Sequence, residues 1–89
     1  MNQVTKQIIF TGRVQGVGFR FTAHSIARRY QLKGYVKNVH DGAVEVVVQG
    51  PDDLIMACIR DLQDAHIIRE TKISEINPQQ GYTDFKITF

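Results

Sequence analysis

Ile8-Ile9-Phe10-Thr11-Gly12-Arg13-Val14-Gln15-Gly16-Val17-Gly18-Phe19-Arg20 is the stretch on which the reading of this chain turns. It opens as the end of an apolar strand and closes at the start of an amphipathic helix. Between the two lie Gly16 and Gly18, followed by Arg20. Glycines reach positive φ and let successive backbone N–H groups converge into a concave nest that binds anions. A helix N-terminus behind such a loop adds free N–H groups and a partial positive charge. An arginine in the first turn supplies a planar fork that matches phosphate oxygens. Together these features describe a small phosphate cradle. Taken alone, the spacing also fits a plain tight turn with a solvated arginine.

Two common phosphate loops are excluded. A Walker loop needs a lysine followed by Ser or Thr after its last glycine, and none follows here. The dinucleotide fingerprint needs a third glycine three places after Gly18, where Phe21 stands. The anion implied is therefore small and held without nucleotide contacts.

Working outward, the first strand is expected from Thr5 to Val14, with Ile8, Phe10, Gly12 and Val14 on one face. A helix is expected from Phe21 to Leu32. Phe19, Ala23, Ile26, Ala27 and Tyr30 recur at helical spacing as its buried stripe, and Gly34 reads as its C-cap. A second strand, Tyr35 to Val39, leads into Asp41-Gly42, a strong hairpin signal. The third strand, Ala43 to Gln49, turns Val44, Val46 and Val48 one way. Pro51, Asp52 and Asp53 start a second helix with the stripe Leu54, Ile55, Cys58, Ile59 and Leu62, ending near Gln63. Arg69 to Ile76 reads as a weaker strand, 77–81 as a loop, and Asp84 to Phe89 as a last strand.

The order is βαββαβ plus a terminal strand. Two βαβ halves joined by a hairpin predict an α+β ferredoxin-like split βαβ sandwich, one sheet with two helices on one face. The neighbour of the last strand is not legible. In this fold the first two strands run parallel, so their C-terminal ends share one edge. That brings Asn38, at the end of the second strand, toward the glycine loop. On its own Asn38 also reads as a turn residue.

Length and composition bound the rest. Eighty-nine residues support a single domain, 1–89, with one modest core. A net charge of +2 argues for neither a nucleic-acid nor a membrane partner. The one cysteine, Cys58, excludes an internal disulfide and fits a reducing compartment. No apolar signal region opens the chain, and no stretch has the roughly 20 apolar residues of a membrane helix, so the cytoplasm is the expected location. Small size predicts a monomer. His24, His40 and His66 show no metal spacing with one another or with Cys58, so no metal or other cofactor is expected. Cys58 reads as core, and His40, two residues after Asn38, as a turn residue rather than a base. Asp41 and Glu45 form an acid pair on paper, but the hairpin already explains Asp41.

Two motifs resemble a known family. Gly12-Arg13-Val14-Gln15-Gly16-Val17-Gly18-Phe19-Arg20 is similar to the N-terminal signature of the acylphosphatases. Gly34-Tyr35-Val36-Lys37-Asn38-Val39-His40-Asp41-Gly42-Ala43-Val44-Glu45 resembles their second signature, with Tyr35 at a position commonly tryptophan. The resemblance spans essentially the whole chain and is weakest after Ile67. It implies an enzyme, an acylphosphatase, that hydrolyses the carboxyl-phosphate anhydride of a small-molecule acyl phosphate. Inorganic phosphate is then product and competitive inhibitor. By resemblance, Arg20 binds the phosphate and Asn38 positions the attacking water. The backbone of Gln15, Gly16, Val17, Gly18, Phe19 and Arg20 forms the phosphate loop. No metal, cofactor or covalent intermediate is implied, because the leaving carboxylate is already a weak base and phosphoryl transfer mainly needs positioning and charge stabilisation.

One further departure concerns the end of the chain. Many relatives carry an arginine next to the last residue, in a segment that orients the active-site arginine, and Thr88 stands there instead. The rival readings are an accessory module for carbamoyl transfer and a non-catalytic phosphate-binding domain of the same fold. An RNA-recognition module lacks its aromatic pair on the central strands, and a metal chaperone lacks Cys-x-x-Cys.

Overall fold

A computed structural model of the chain describes residues 3–15 and 18–88. Strand β1 spans Gln3–Gly12, helix α1 Phe19–Arg29, β2 Lys33–Asn38, β3 Val44–Pro51, α2 Asp52–Ala65, β4 Ile68–Ile76 and β5 Phe85–Ile87. The five strands form one sheet in the order β4-β1-β3-β2-β5. The β1, β3, β2 and β4 pairings are antiparallel, and β5 joins β2 in parallel. This is the expected ferredoxin-like sheet, with the last strand added beside β2.

Helix α1 lies over β2 and β5, and α2 over β3 and β1. The period-2 residues Ile8 and Phe10 of β1 and Val44, Val46 and Val48 of β3 meet the helix stripes Phe19, Ala23, Ile26, Ala27, Ile55, Cys58, Ile59 and Leu62 in one buried core. The opposite face of the sheet is partly covered by the segment after β4. Gln79 N donates to Gln49 Oε1 at 2.8 Å, and Gln49 Nε2 donates to Gln79 O at 3.1 Å. Thr5, fully buried beneath this segment, donates its hydroxyl to the same Gln49 Oε1.

Every expected element is present, but β1 spans Gln3–Gly12 rather than Thr5 to Val14, so Val14 lies beyond it, and the last strand is only Phe85–Ile87 rather than Asp84 to Phe89. Two further differences lie around α1. The helix starts at Phe19 rather than Phe21, because Thr22 N already bonds Gly18 O at 2.8 Å. It stops at Arg29, and Gly34 does not cap it. The reversal falls on Gln31, at φ 59. Leu32 N reaches Ala27 O at 2.9 Å and Gln31 N reaches Arg28 O at 3.0 Å, the pair of bonds that closes a Schellman end. Buried Leu32 supplies the apolar contact of that motif. Gly34 instead sits inside β2 at φ 138, where a Cβ would fall inside the Val47 carbonyl of β3. The glycine answers a close approach of two strands rather than a helix end.

Candidate active site

The sheet register brings the two sequence motifs to one edge. Phe10 of β1 and Asn38 of β2 both pair with Val44 of β3. The C-terminal ends of β1 and β2 are therefore level, separated by β3 alone, or about 10 Å at ordinary strand spacing. β2 and β3 are joined through Asp41 at φ 64, ψ 26 and Gly42 at φ 79. Both residues take positive φ within a short 3₁₀ turn, His40–Gly42, which keeps the reversal that the Asp-Gly pair predicts. Val39 N donates to Ala43 O at 2.9 Å and fastens the turn.

Helix α1 is entered at Gly18, whose φ is 110. No side chain caps this helix start and no acidic residue lies in its first turn, so its N–H groups keep their positive end unopposed. Phe19 points into the core, edge-on to Phe10 at 5.5 Å and to His66 at 4.9 Å between ring centres. Gly16 and Val17, expected in the phosphate loop, lie outside the described residues.

Arg20, one residue on, points to the other side. Its Nη1 donates to the backbone carbonyl of Thr88 at 3.1 Å. Thr88 is fixed in turn: its N–H reaches Val36 O at 2.8 Å and its hydroxyl donates to the same oxygen at 3.1 Å. The guanidinium is thus tied, through the residue after β5, to the C-terminal end of β2. The hold is a main-chain oxygen, which threonine presents as well as arginine does. Asn38 is exposed at the same strand end, and among the described residues its side chain has no hydrogen-bond partner.

A model of the acylphosphatase family matches residues 6–87. The acylphosphatase of Picrophilus torridus is 40% identical over 81 residues, which cover 91% of this chain and 98% of that one. The chain belongs to the acylphosphatase family. The crystal structure of acylphosphatase from Bacillus subtilis superposes with a TM-score of 0.89 at 30% identity, over 97% of this chain and 99% of that one. Full-length HypF, in a phosphate- and nucleotide-bound form, matches with a TM-score of 0.90 at 36% identity, over 99% of this chain but 12% of that one.

Of the other reactive groups in this acylphosphatase chain, Cys58, His24 and His66 are engaged in the fold, and His40 lies in the turn after Asn38. Cys58 is buried in the α2 stripe, and burial pushes its thiol up to about 12, far from a reactive thiolate. His66 packs on Phe19, His24 lies beside Phe85, and His40 is an exposed turn residue. Among the described residues no group of His, Cys, Asp and Glu is arranged to hold a metal. Glu45 forms no pair with Asp41. Its largely buried carboxylate lies on the sheet face away from the helices, accepting from Gln7 Nε2 at 2.6 Å and from the Tyr35 hydroxyl at 3.1 Å. Burial first, and that bond to Glu45 second, push the Tyr35 hydroxyl up to about 12. Tyr35 thus fills the position commonly held by tryptophan with an aromatic ring that packs edge-on to Tyr82 and donates to Glu45.

One contact at the strand-end edge has no counterpart in the sequence motifs. Gln15 was expected to contribute backbone to the phosphate loop. Its side chain bridges to the turn between β2 and β3, with Nε2 2.7 Å from Val39 O and 2.7 Å from Ala43 O. The only signal in the chain is an amide at the mouth of the glycine loop. Both of its acceptors are main-chain oxygens that no side-chain type announces.

Proposed function

We propose that the protein is a cytoplasmic, monomeric acylphosphatase that hydrolyses acyl phosphates without metal or covalent intermediate, using Arg20 and Asn38. The observation that carries this reading is the shared edge: Asn38 level with the end of β1, and Arg20 anchored beside it on Thr88 O. The N–H groups at the start of α1 and the arginine fork receive the phosphoryl oxygens and neutralise their charge. Asn38 holds a water in line with the bond to be broken. The water oxygen attacks phosphorus, and the bond from phosphorus to the acyl oxygen breaks. The carboxylate leaves with the electron pair, and a phosphoryl oxygen takes the proton of the water. No protein acid is needed, because the leaving carboxylate is a weak base. Positioning and fixed charge supply the acceleration.

Curated acylphosphatases that the chain spans nearly whole favour the hydrolase over an accessory module, since its match to HypF is confined to 12% of that chain. The test is release of inorganic phosphate from acetyl phosphate and benzoyl phosphate by the isolated protein. Turnover is expected, with phosphate as a competitive inhibitor, and it is expected to survive both a chelator and Cys58→Ala. Loss of turnover on chelation, with circular dichroism unchanged, contradicts the route. Absence of any turnover in the folded protein contradicts the activity itself.

The anchoring of Arg20 gives a second expectation. Thr88→Ala keeps the main-chain carbonyl and is expected to change kcat by no more than about threefold. Thr88→Pro removes the N–H that fixes the segment to Val36 O. It is expected to cost at least about tenfold in kcat, through displacement of the guanidinium. Equal rates for the two variants would show that the carbonyl does not set the arginine.

A further inference from the structure

We infer that the side chain of Gln15 is a positioning residue that holds Asn38 in register with the phosphate loop. The inference rests on the water-positioning role proposed for Asn38. A primary amide has two N–H donors on one nitrogen. Gln15 Nε2 is 2.7 Å from each of two carbonyls, Val39 O and Ala43 O, so both donors are committed. Those carbonyls bracket the turn between β2 and β3. Val39 directly follows Asn38, and Ala43 O also receives Val39 N at 2.9 Å.

The location makes this bridge consequential. Asn38–Val44 is the last registered pair between β2 and β3. Beyond it the chain runs through the exposed residues His40, Asp41 and Gly42. The turn is closed by its own bonds, but those bonds say nothing about where it sits relative to the loop after β1. Gln15 belongs to that loop, at the entrance to the glycines, and its amide is the described contact that joins loop to turn. Beyond the pairs that Phe10 and Asn38 both make with Val44, this side chain ties loop to turn and so helps to hold the separation between the groups that receive the phosphoryl oxygens and the residue that holds the water. In-line attack is sensitive to that separation, and a displacement of about 1 Å costs on the order of 10²-fold.

The consequence is a division between rate and binding. Arg20 is held separately, through Thr88 O, and every Gln15 variant keeps the backbone N–H that residue 15 would offer, so phosphate affinity is expected to change little when only the Gln15 side chain is altered. Gln15→Met keeps the length of the side chain and removes both donors. Gln15→Glu keeps the shape and sets a carboxylate against two carbonyl oxygens. Gln15→Lys restores donors of similar reach on one nitrogen.

The experiment compares kcat, KM and phosphate inhibition for Gln15→Met, Gln15→Glu and Gln15→Lys with benzoyl phosphate, each corrected for folded fraction. Gln15→Met is expected to lower kcat by about ten- to hundredfold, with the inhibition constant for phosphate within about twofold of the parent. Gln15→Glu is expected to be lower still, and Gln15→Lys to recover part of the loss. In an Asn38→Ala background, Gln15→Met is expected to add less than about threefold, because two residues acting through one step are not additive. Parent-like kcat in Gln15→Met overturns the inference. So does a loss of phosphate inhibition in parallel with kcat, or a full multiplicative effect on top of Asn38→Ala. Parent-like turnover in Asn38→Ala alone marks a different failure: the water-positioning role itself falls, and this inference with it.

Discussion

Arg20→Ala is expected to abolish turnover and to weaken phosphate inhibition together. The guanidinium is the described cation tied to the strand-end edge, and Thr88 O holds it there at 3.1 Å. Alanine removes the charge and the fork at once. An arginine that stabilises a phosphoryl transition state contributes about 10³-fold or more, and a loss of that size in kcat/KM is expected here. Arg20→Lys is expected to be little better. A single ammonium does not reproduce two parallel N–H···O bonds, and its shape does not match the Thr88 carbonyl and a phosphoryl oxygen together. Initial rates with benzoyl phosphate and the inhibition constant for inorganic phosphate check both variants. A near-parent rate in Arg20→Ala would mean that the cradle lies elsewhere.

Asn38→Ala is expected to separate binding from chemistry. The substitution leaves Arg20 and the start of α1 untouched, so competitive inhibition by phosphate should stay close to its parent strength. Turnover should fall by at least about 10²-fold, because a water held in line supplies much of the available proximity effect. Little loss of stability is expected, since the side chain is exposed and has no partner among the described residues. If Asn38 only shapes the turn, the pattern reverses: a stability loss of about 1 kcal/mol with the rate per folded molecule unchanged. Phosphate inhibition, turnover and the denaturation midpoint, measured on one sample, decide between the two. A folded, phosphate-binding, inactive protein supports the role, and a weakened but fully active one removes it.

Which parts of this were written in the chain follows from which constraints are local. Alternation in β1 and β3 and the helical stripes of α1 and α2 were readable because side-chain period is set by backbone geometry within a few residues. Asp41-Gly42 announced its turn because two consecutive left-handed residues admit few residue types. Parallel β1 and β2 follow from the order of elements, and with them the placing of the end of β1 and Asn38 at one edge. The end of α1 was misread because Gln31 adopts the left-handed position that glycine usually takes, while Gly34 serves a strand crossing formed only when β3 arrives. The place of β5 beside β2 was likewise undetermined, since a three-residue strand carries too little pattern to choose an edge. The two contacts that fix the geometry of the site, Arg20 on Thr88 O and Gln15 on Val39 O and Ala43 O, belong wholly to the tertiary structure. Every residue carries the same backbone carbonyl, so a sequence shows which side chains can donate, and only the folded sheet decides which oxygens lie within their reach.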